Sequence, residues 1–346
     1  MTLYNKLYYK NSIDMNEVGD ESVDLVVTSP PYPMIQMWDE IFTGIDENIG
    51  KALDAGTPML AWELMNSRLD RVWAECYRTL KPGGFACINI GDATRKVGNH
   101  FRLYSNHSRI SSAFIALGFD SLPEVIWRKP TNAPNKFMGS GMLPSGAYVT
   151  LEHEYILIFR KGGRRTVFTE EEKVRRSASA YFWEERNTWF SDIWEFKGAS
   201  QPMKKLEFNA ARDRSGAYPY ELVHRLISMY SFQQDTVLDP FLGTGTTLSA
   251  CMVNGRRCIG YEIDESLGSL ILNNAEEAYN RSGEILQQRF EHHRSFLEDY
   301  VVRKGQPKYT SIKYDFPVVT RQEKQIEFPV LTDYKTEGDS LVCNYL

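Results

Sequence analysis

Short apolar runs rich in β-branched residues alternate along the chain with segments whose apolar positions recur every three or four residues. That alternation predicts an α/β fold in which a mostly parallel sheet is covered by helices on both faces. Seven strands are expected, at Lys6–Tyr9, Asp24–Thr28, Gly84–Ile90, Pro123–Arg128, Glu154–Arg160, Thr236–Asp239 and Arg257–Glu262. Helices are expected at Ser67–Leu80, stopped by Lys81-Pro82-Gly83-Gly84, at Arg109–Leu117, stopped by Gly118, and at Pro219–Tyr230, Thr246–Asn254 and Glu265–Arg281.

Two stretches break this rhythm. Residues 129–152 are rich in Pro, Gly, Asn and Ser and read as a long loop. Residues 161–217 are charged, aromatic and poorly periodic, which predicts an insertion between two strand-forming regions. Residues 282–346 carry aromatic and β-branched runs of their own, Tyr309-Thr310-Ser311-Ile312 and Phe328-Pro329-Val330-Leu331, and are expected to pack as a C-terminal extension.

Composition narrows the class. A chain of 346 residues with 42% hydrophobic content can bury one large core, or a core plus a smaller module. No N-terminal stretch resembles a signal peptide, and no run approaches the roughly 20 apolar residues that cross a bilayer. A soluble, cytoplasmic protein is expected. The five cysteines, Cys76, Cys87, Cys251, Cys258 and Cys343, form no C-x-x-C pair, so no metal is expected. The net charge of -5 argues against a nucleic-acid partner, but its distribution does not. Residues 160–225 hold 14 Lys+Arg against 10 Asp+Glu, leaving 26 against 35 elsewhere. A basic strip on an acidic body fits a nucleic-acid face, and a salt-bridged surface fits it equally well.

Candidate chemistry lies in two motifs. In Val237-Leu238-Asp239-Pro240-Phe241-Leu242-Gly243-Thr244-Gly245-Thr246-Thr247 an apolar strand runs through a glycine turn into a helix. The glycines let the backbone approach a ligand, and the helix start offers free N–H groups. The next strand, Cys258-Ile259-Gly260-Tyr261-Glu262, ends in an acid placed to bind ribose hydroxyls. No Lys follows the glycines, so a nucleoside is favoured over a triphosphate. The second motif, Asp24-Leu25-Val26-Val27-Thr28-Ser29-Pro30-Pro31-Tyr32, ends a buried-type strand on two prolines. Their missing N–H groups and fixed φ make a stiff turn with unpaired carbonyls. A hydroxyl, a carbonyl and an aromatic ring there can accept from an amino group and stack on a planar base, although a plain strand terminator has the same residues.

Taken together, the motifs resemble the amino-group DNA methyltransferases, whose hallmarks are [D/N/S]-P-P-[Y/F/W] and F-x-G-x-G. The order, catalytic motif first, resembles the β class, and the likeness extends over residues 6–160 and 218–280. The resemblance implies a Rossmann-like catalytic and cofactor-binding core of circularly permuted order, residues 1–160 and 218–281. It implies a target-recognition region at 161–217. S-adenosylmethionine is the implied cofactor, with Asp239, Phe241, Gly243 and Gly245 at its methionine part, Thr246 opening the helix and Glu262 on the ribose. Asn11 stands where the family often has an Asp near the adenine, a departure from its pattern. The helix containing Tyr218-Pro219-Tyr220 resembles the segment that closes over the cofactor.

An exocyclic amine is a poor nucleophile until acceptors hold its hydrogens. Ser29 and the Pro30 carbonyl are the implied acceptors, Pro31 completes the stiff turn, and Tyr32 is the expected stacking partner of a flipped base. Within the family, Ser in the first position is associated with N4-cytosine enzymes and Asp with N6-adenine enzymes. A site-specific cytosine-N4 enzyme is therefore expected, with an N6-adenine enzyme and a catalytically inactive DNA-binding module as the alternatives. Double-stranded DNA is the implied partner, with a cognate restriction endonuclease and a second copy of the chain as further candidates. DNA contacts are expected from Arg164, Arg165, Arg175, Arg176, Lys204 and Lys205, with Arg212 and Arg214 in the same region. Lys129, Asn132, Asn135 and Lys136 are candidates to frame the flipped base.

Overall fold

The computed structural model describes residues 1–129, 144–145, 148–198 and 218–346. Its strands, in chain order, are β1 (Thr2–Tyr8), β2 (Val23–Thr28), β3 (Leu80–Ile90), β4 (Ala93–Val97), β5 (His100–Tyr104), β6 (Phe119–Arg128) and β7 (His153–Lys161). They continue with β8 (Ile193–Glu195), β9 (Thr236–Asp239), β10 (Arg257–Tyr261), β11 (Tyr309–Thr310), β12 (Pro317–Val318), β13 (Leu331–Glu337) and β14 (Ser340–Tyr345). The helices are α1 (Asp39–Ile45), α2 (Glu47–Asp54), α3 (Pro58–Thr79), α4 (Asn106–Leu117), α5 (Glu170–Ala178), α6 (Trp183–Trp189), α7 (Tyr220–Tyr230), α8 (Thr246–Asn254) and α9 (Gly268–Lys304).

Ten strands form the main sheet, in the order β13-β14-β1-β10-β9-β2-β3-β7-β6-β8. The seven expected strands are its centre; the hairpin β13-β14 on one side and the three-residue β8 on the other correct the count upward. The strands β1, β10, β9, β2 and β3 are mutually parallel. β7 runs antiparallel to both β3 and β6. The C-terminal ends of β2, β3 and β9 therefore share an edge with the beginning of β7, and that edge carries both motifs.

Each face of the sheet covers its own core. Leu25 and Val27 of β2 pack with Leu222 and Leu226 of α7, Leu248 of α8 and Ile271 of α9. Val23 and Val26 face the other way, onto Leu69 and Trp73 of α3 and Phe114 of α4. From Leu25 onward the faces alternate, after a register irregularity between Val23 and Leu25, and with a core on each face these strands are apolar throughout. α3 begins well before the expected Ser67, with Pro58 at its first position, where the missing N–H costs nothing. Met59 and Leu60 are exposed on its outer side and blur the helical period. The helix ends at Thr79, one residue before the expected Leu80, and the expected stop at Lys81–Gly84 also interrupts a ladder: Val23 pairs with Leu80, and pairing resumes with Leu25 opposite Phe85.

The C-terminal extension is not a separate layer. β14 pairs with β1, and α9 continues beyond the expected Arg281 to Lys304. Phe182, Ile326 and Phe328 form a third, smaller core with Phe290, Tyr314 and Phe316. Residues from the expected insertion and from the extension thus pack on one another. All five cysteines are buried and unpaired. Among the described residues, no helix is long and apolar enough to cross a membrane.

Candidate active site

β2 delivers Ser29-Pro30-Pro31-Tyr32 to the edge where the parallel strands end. Tyr32 Oη donates to Glu154 Oε2 at 2.9 Å. Asn89 Nδ2 lies 2.8 Å from Tyr32 Oη, 2.8 Å from Glu154 Oε2 and 3.3 Å from Ser29 Oγ. Asn89 is near the end of β3 and Glu154 near the start of β7; the antiparallel register, with Ile90 opposite Tyr155, brings them together. The other Glu154 oxygen is ion-paired with Lys129, whose ammonium sits 4.4 Å over the Trp127 ring. Burial, and after it the Glu154 charge, hold the Tyr32 phenol well above its ordinary range, so it remains a donor. Gly91 makes room for this cluster, since a Cβ there would stand 2.9 Å from Tyr32 Cε2 and 3.3 Å from Glu154 Cγ. Asn106 Nδ2 donates to the Pro33 carbonyl at 3.0 Å and the Gly91 carbonyl at 3.1 Å, fixing the chain on both sides.

The glycine turn lies beside it. Gly243 and Gly245 have φ of 56° and 84°, a region where a side chain is strained. Leu242 N donates to the Tyr261 carbonyl at 2.8 Å, which presses the turn onto β10. Asp239 is fully buried, with four donors within hydrogen-bond reach, two of which, the Tyr218 and Thr247 hydroxyls, also bond each other. The four are Thr28 Oγ1 at 2.5 Å, Phe241 N at 3.0 Å, Tyr218 Oη at 2.9 Å and Thr247 Oγ1 at 2.5 Å. Burial raises its carboxyl above the ordinary range despite these four donors. Glu262 accepts from Gly243 N and from Asp264 N, both at 2.8 Å, and burial raises it too. Asn11 Oδ1 accepts from Ile13 N at 3.0 Å in a loop after β1, and Glu262 N donates to the Tyr8 carbonyl at 3.0 Å, so the end of β1 adjoins Glu262.

These residues fit a nucleoside with an aliphatic tail. Above Gly243 an added Cβ would meet only the Phe241 carbonyl, at 3.9 Å. Among the described residues, each Glu262 oxygen accepts one backbone bond, which leaves a lone pair on each for a ligand.

Comparison with known proteins decides the family. The N6_N4_Mtase family model, DNA methylase, matches residues 23–273. The chain belongs to this family. The methylase is 50% identical over 337 residues to the Type II methyltransferase M.MthZI of Methanothermobacter thermautotrophicus, covering 97% of this chain and 93% of that one. It is 50% identical over 282 residues to M.MjaI of Methanocaldococcus jannaschii, covering 78% and 91%. A solved Thermus thermophilus structure, the putative DNA modification methylase TTHA0409 complexed with S-adenosyl-L-methionine, aligns with a TM-score of 0.60 at 32% identity over 79% of this chain and 96% of that one. The PvuII DNA methyltransferase (cytosine-N4-specific) shares the fold, with a TM-score of 0.51 at 17% identity over 80% and 91%. This methylase is an S-adenosylmethionine-dependent DNA methyltransferase.

The methylase brings together most of the expected site: Ser29, Pro30, Pro31 and Tyr32 at one end, and Asp239, Phe241, Gly243, Gly245, Thr246 and Glu262 at the other, joined by the Thr28–Asp239 bond. The Pro30 carbonyl accepts no hydrogen bond among the described residues. Asn89, Glu154 and Tyr218 are the polar groups that hold these motifs. Asn89 had one local signal, a polar residue inside the apolar run Ala86-Cys87-Ile88-Asn89-Ile90.

The expected DNA-contacting arginines are elsewhere. Arg164, Arg165 and Arg176 line a concavity of about 1000 Å³ with Lys81, Phe85 and Asp235, at the edge where the parallel strands begin, opposite Ser29. Arg165 is ion-paired with Glu172, and the Arg165 and Arg176 guanidinium carbons stand 4.9 and 4.8 Å from the Phe168 ring centroid. Arg175 donates to Asp235 at 3.0 Å and to the Gln233 carbonyl at 2.9 Å. The reason is directional: β7 starts beside Ser29 and ends across the sheet, so residues just after Lys161 emerge on the far edge. Lys204, Lys205, Arg212, Arg214, Asn132, Asn135 and Lys136 lie outside the described residues.

Proposed function

We propose that this methylase transfers a methyl group to the exocyclic N4 of a cytosine flipped out of duplex DNA, as the modification half of a restriction–modification pair. The observation that carries the reading is Ser29 at the first position of S-P-P-Y, its hydroxyl on the rim of a polar cluster and next to a carbonyl without a partner among the described residues. Ser in that position goes with N4-cytosine chemistry in the family the motifs resemble. The two relatives at 50% identity, both named Type II methyltransferases, support the restriction–modification context and a cognate endonuclease as partner.

S-adenosylmethionine, when bound, supplies an electrophilic methyl group on a sulfonium. Phe241, Gly243, Gly245 and Thr246 would cradle it, Glu262 would accept from the ribose hydroxyls, and Asn11 would lie towards the adenine. Asp239, with its four protein donors, would act by holding the turn. Ser29 Oγ and the Pro30 carbonyl would accept the hydrogens of the target amine, drawing its lone pair out of the ring, while Tyr32 borders the extruded base. Catalysis then rests on positioning in a desolvated site.

Sequence recognition falls to residues near the Ser29 edge. Lys129, before residues 130–143, bonds Glu154 there, and the segment 199–217 is flanked by Phe196, packed on Trp127, and by Tyr218, bonded to Asp239. Lys204 and Lys205 fall in that segment and remain the proposed DNA contacts; Arg164, Arg165, Arg175 and Arg176 do not.

The test is methylation of DNA with isotope-labelled cofactor followed by nucleoside mass spectrometry. Labelled N4-methylcytosine is expected. Labelled N6-methyladenine would refute the base assignment.

A further inference from the structure

The hydrogens of the cluster around Tyr32 can be assigned one by one, because one member accepts and never donates. Glu154 Oε2 lies 2.8 Å from Asn89 Nδ2 and 2.9 Å from Tyr32 Oη, and a carboxylate paired with Lys129 offers only lone pairs. Asn89 must therefore turn its amide nitrogen, not its oxygen, towards Glu154. Its second hydrogen goes to Tyr32 Oη at 2.8 Å. The Tyr32 oxygen accepts that bond, and its own hydrogen is committed to Glu154. One lone pair of Tyr32 remains, facing Ser29 Oγ at 3.3 Å. The Ser29 hydroxyl donates to it; Asn89 Nδ2 also stands 3.3 Å from Ser29 Oγ, but its two hydrogens are committed to the shorter contacts with Glu154 and Tyr32, so the Ser29 lone pairs are left for a group outside the cluster.

We propose that Glu154 is a positioning residue that fixes Ser29 as a hydrogen-bond acceptor for the target amine, acting through Tyr32 and Asn89, with Lys129 selecting which Glu154 oxygen faces the turn. This rests on the reading of Ser29 as the amine's acceptor and holds for cytosine and adenine alike. The physical need is plain: a Ser29 hydroxyl pointing outward would set its hydrogen against those of the amine. Lys129 occupies Oε1, so Oε2 alone serves Tyr32 and Asn89. Asn89 Oδ1 is buried without a partner among the described residues, so the amide gains nothing from them in this orientation; the carboxylate imposes it.

The test is single-turnover methylation at saturating DNA and cofactor, with cofactor affinity and thermal melting as folding controls. In Glu154→Gln the amide oxygen is claimed by Lys129, so its NH2 group faces Tyr32 and Asn89 and the hydrogen-bond direction reverses. The rate should fall about 100-fold with cofactor affinity unchanged. Adding Lys129→Met frees the amide to rotate its oxygen towards Tyr32, and about 10-fold of the rate should return. Such a rescue is not expected of a residue that merely fills space. A Glu154→Gln enzyme at the wild-type rate, or one that Lys129→Met fails to rescue, overturns the inference. Ser29→Ala separates the two layers: if it is inactive while Glu154→Gln is fully active, the Ser29 reading stands and Glu154 falls. If Ser29→Ala is fully active, both fall.

Discussion

Thr28 Oγ1 donates to Asp239 Oδ1 at 2.5 Å, joining the last residue of β2 to the last residue of β9. The strand that leads to the catalytic turn and the strand that leads to the glycine turn thus end on one buried hydrogen bond. Thr28→Val keeps the shape and removes the donor. It should cost about 1–3 kcal/mol of stability, because a buried carboxylate loses a partner. Asp239 also holds Phe241 N and Thr247, so cofactor affinity should fall in parallel. Denaturant unfolding and calorimetric titration with S-adenosylmethionine check both; an unchanged cofactor affinity would mean that the two turns are not coupled through Asp239.

Gly260 lies in β10, outside the glycine turn, yet an added Cβ would stand 2.7 Å from Leu242 Cδ2 and 2.9 Å from Cδ1. Leu242 is buried and its N–H is bonded to Tyr261, so it has little room to retreat. Gly260→Ala should displace the turn, at a cost of about 1–3 kcal/mol, and weaken cofactor binding about 10-fold or more. Trimming the obstacle with Leu242→Val should restore part of the affinity. Titration of the single and double variants decides the point: no recovery would show that the glycine serves something other than the approach of Leu242.

Both turns were legible in the sequence for a common reason. Ser29-Pro30-Pro31-Tyr32 and Gly243-Thr244-Gly245 end apolar strands with residues that enforce unusual backbone geometry, and such a signal is local. Glu154, Asn89 and Tyr218 were not legible as partners, because Glu154 reaches Asn89 across 65 residues and Tyr218 reaches Asp239 from the coil just ahead of α7, where no periodicity marks it. Residues 161–217 read as one insertion because their composition is uniform. The fold divides them: Phe182 joins the core of Ile326 and Phe328, whereas Ile193 and Trp194 pair with β6 on the main sheet. Charge density alone could not separate an arginine facing DNA from one paired as Arg175 is.

Arg175 illustrates the consequence. Its guanidinium is ion-paired with Asp235, itself largely buried and raised above its ordinary range first by burial and then by Asp24. Arg175→Ala would leave that carboxylate without its cation. The expected result is a loss of about 3 kcal/mol of folding stability. DNA affinity and its salt dependence should stay at wild-type values, unlike those of a phosphate-contacting residue. Thermal melts alongside DNA titrations at several salt concentrations distinguish the two roles, and a reduced salt slope in the variant would return Arg175 to the DNA interface.

His293 joins α9 to α6 through a shared proton. Its Nδ1 lies 2.8 Å from Glu184 Oε1 and its Nε2 3.0 Å from the Pro317 carbonyl, while its ring stacks on Phe182 at 3.9 Å. A carbonyl cannot donate, so Nε2 carries a hydrogen, and a second proton must lie between Nδ1 and Glu184. Burial alone would lower the imidazole, but the hydrogen bond and charge of Glu184 outweigh it and hold His293 above its ordinary 6.5. Glu184, raised first by burial, has its other oxygen buried without a partner among the described residues, so the pair as a whole retains its proton. A basic group raised in the folded state contributes its full stability below its unfolded value and loses it as pH rises through the folded one. The stability difference between the wild type and His293→Gln should therefore be full below the unfolded imidazole value of 6.5 and shrink as pH rises above it. Loss of the ring stack adds an offset that pH does not change, so the slope is the readout. Urea unfolding of both proteins below and above that pH measures it, and parallel curves would show that no proton is held at this joint.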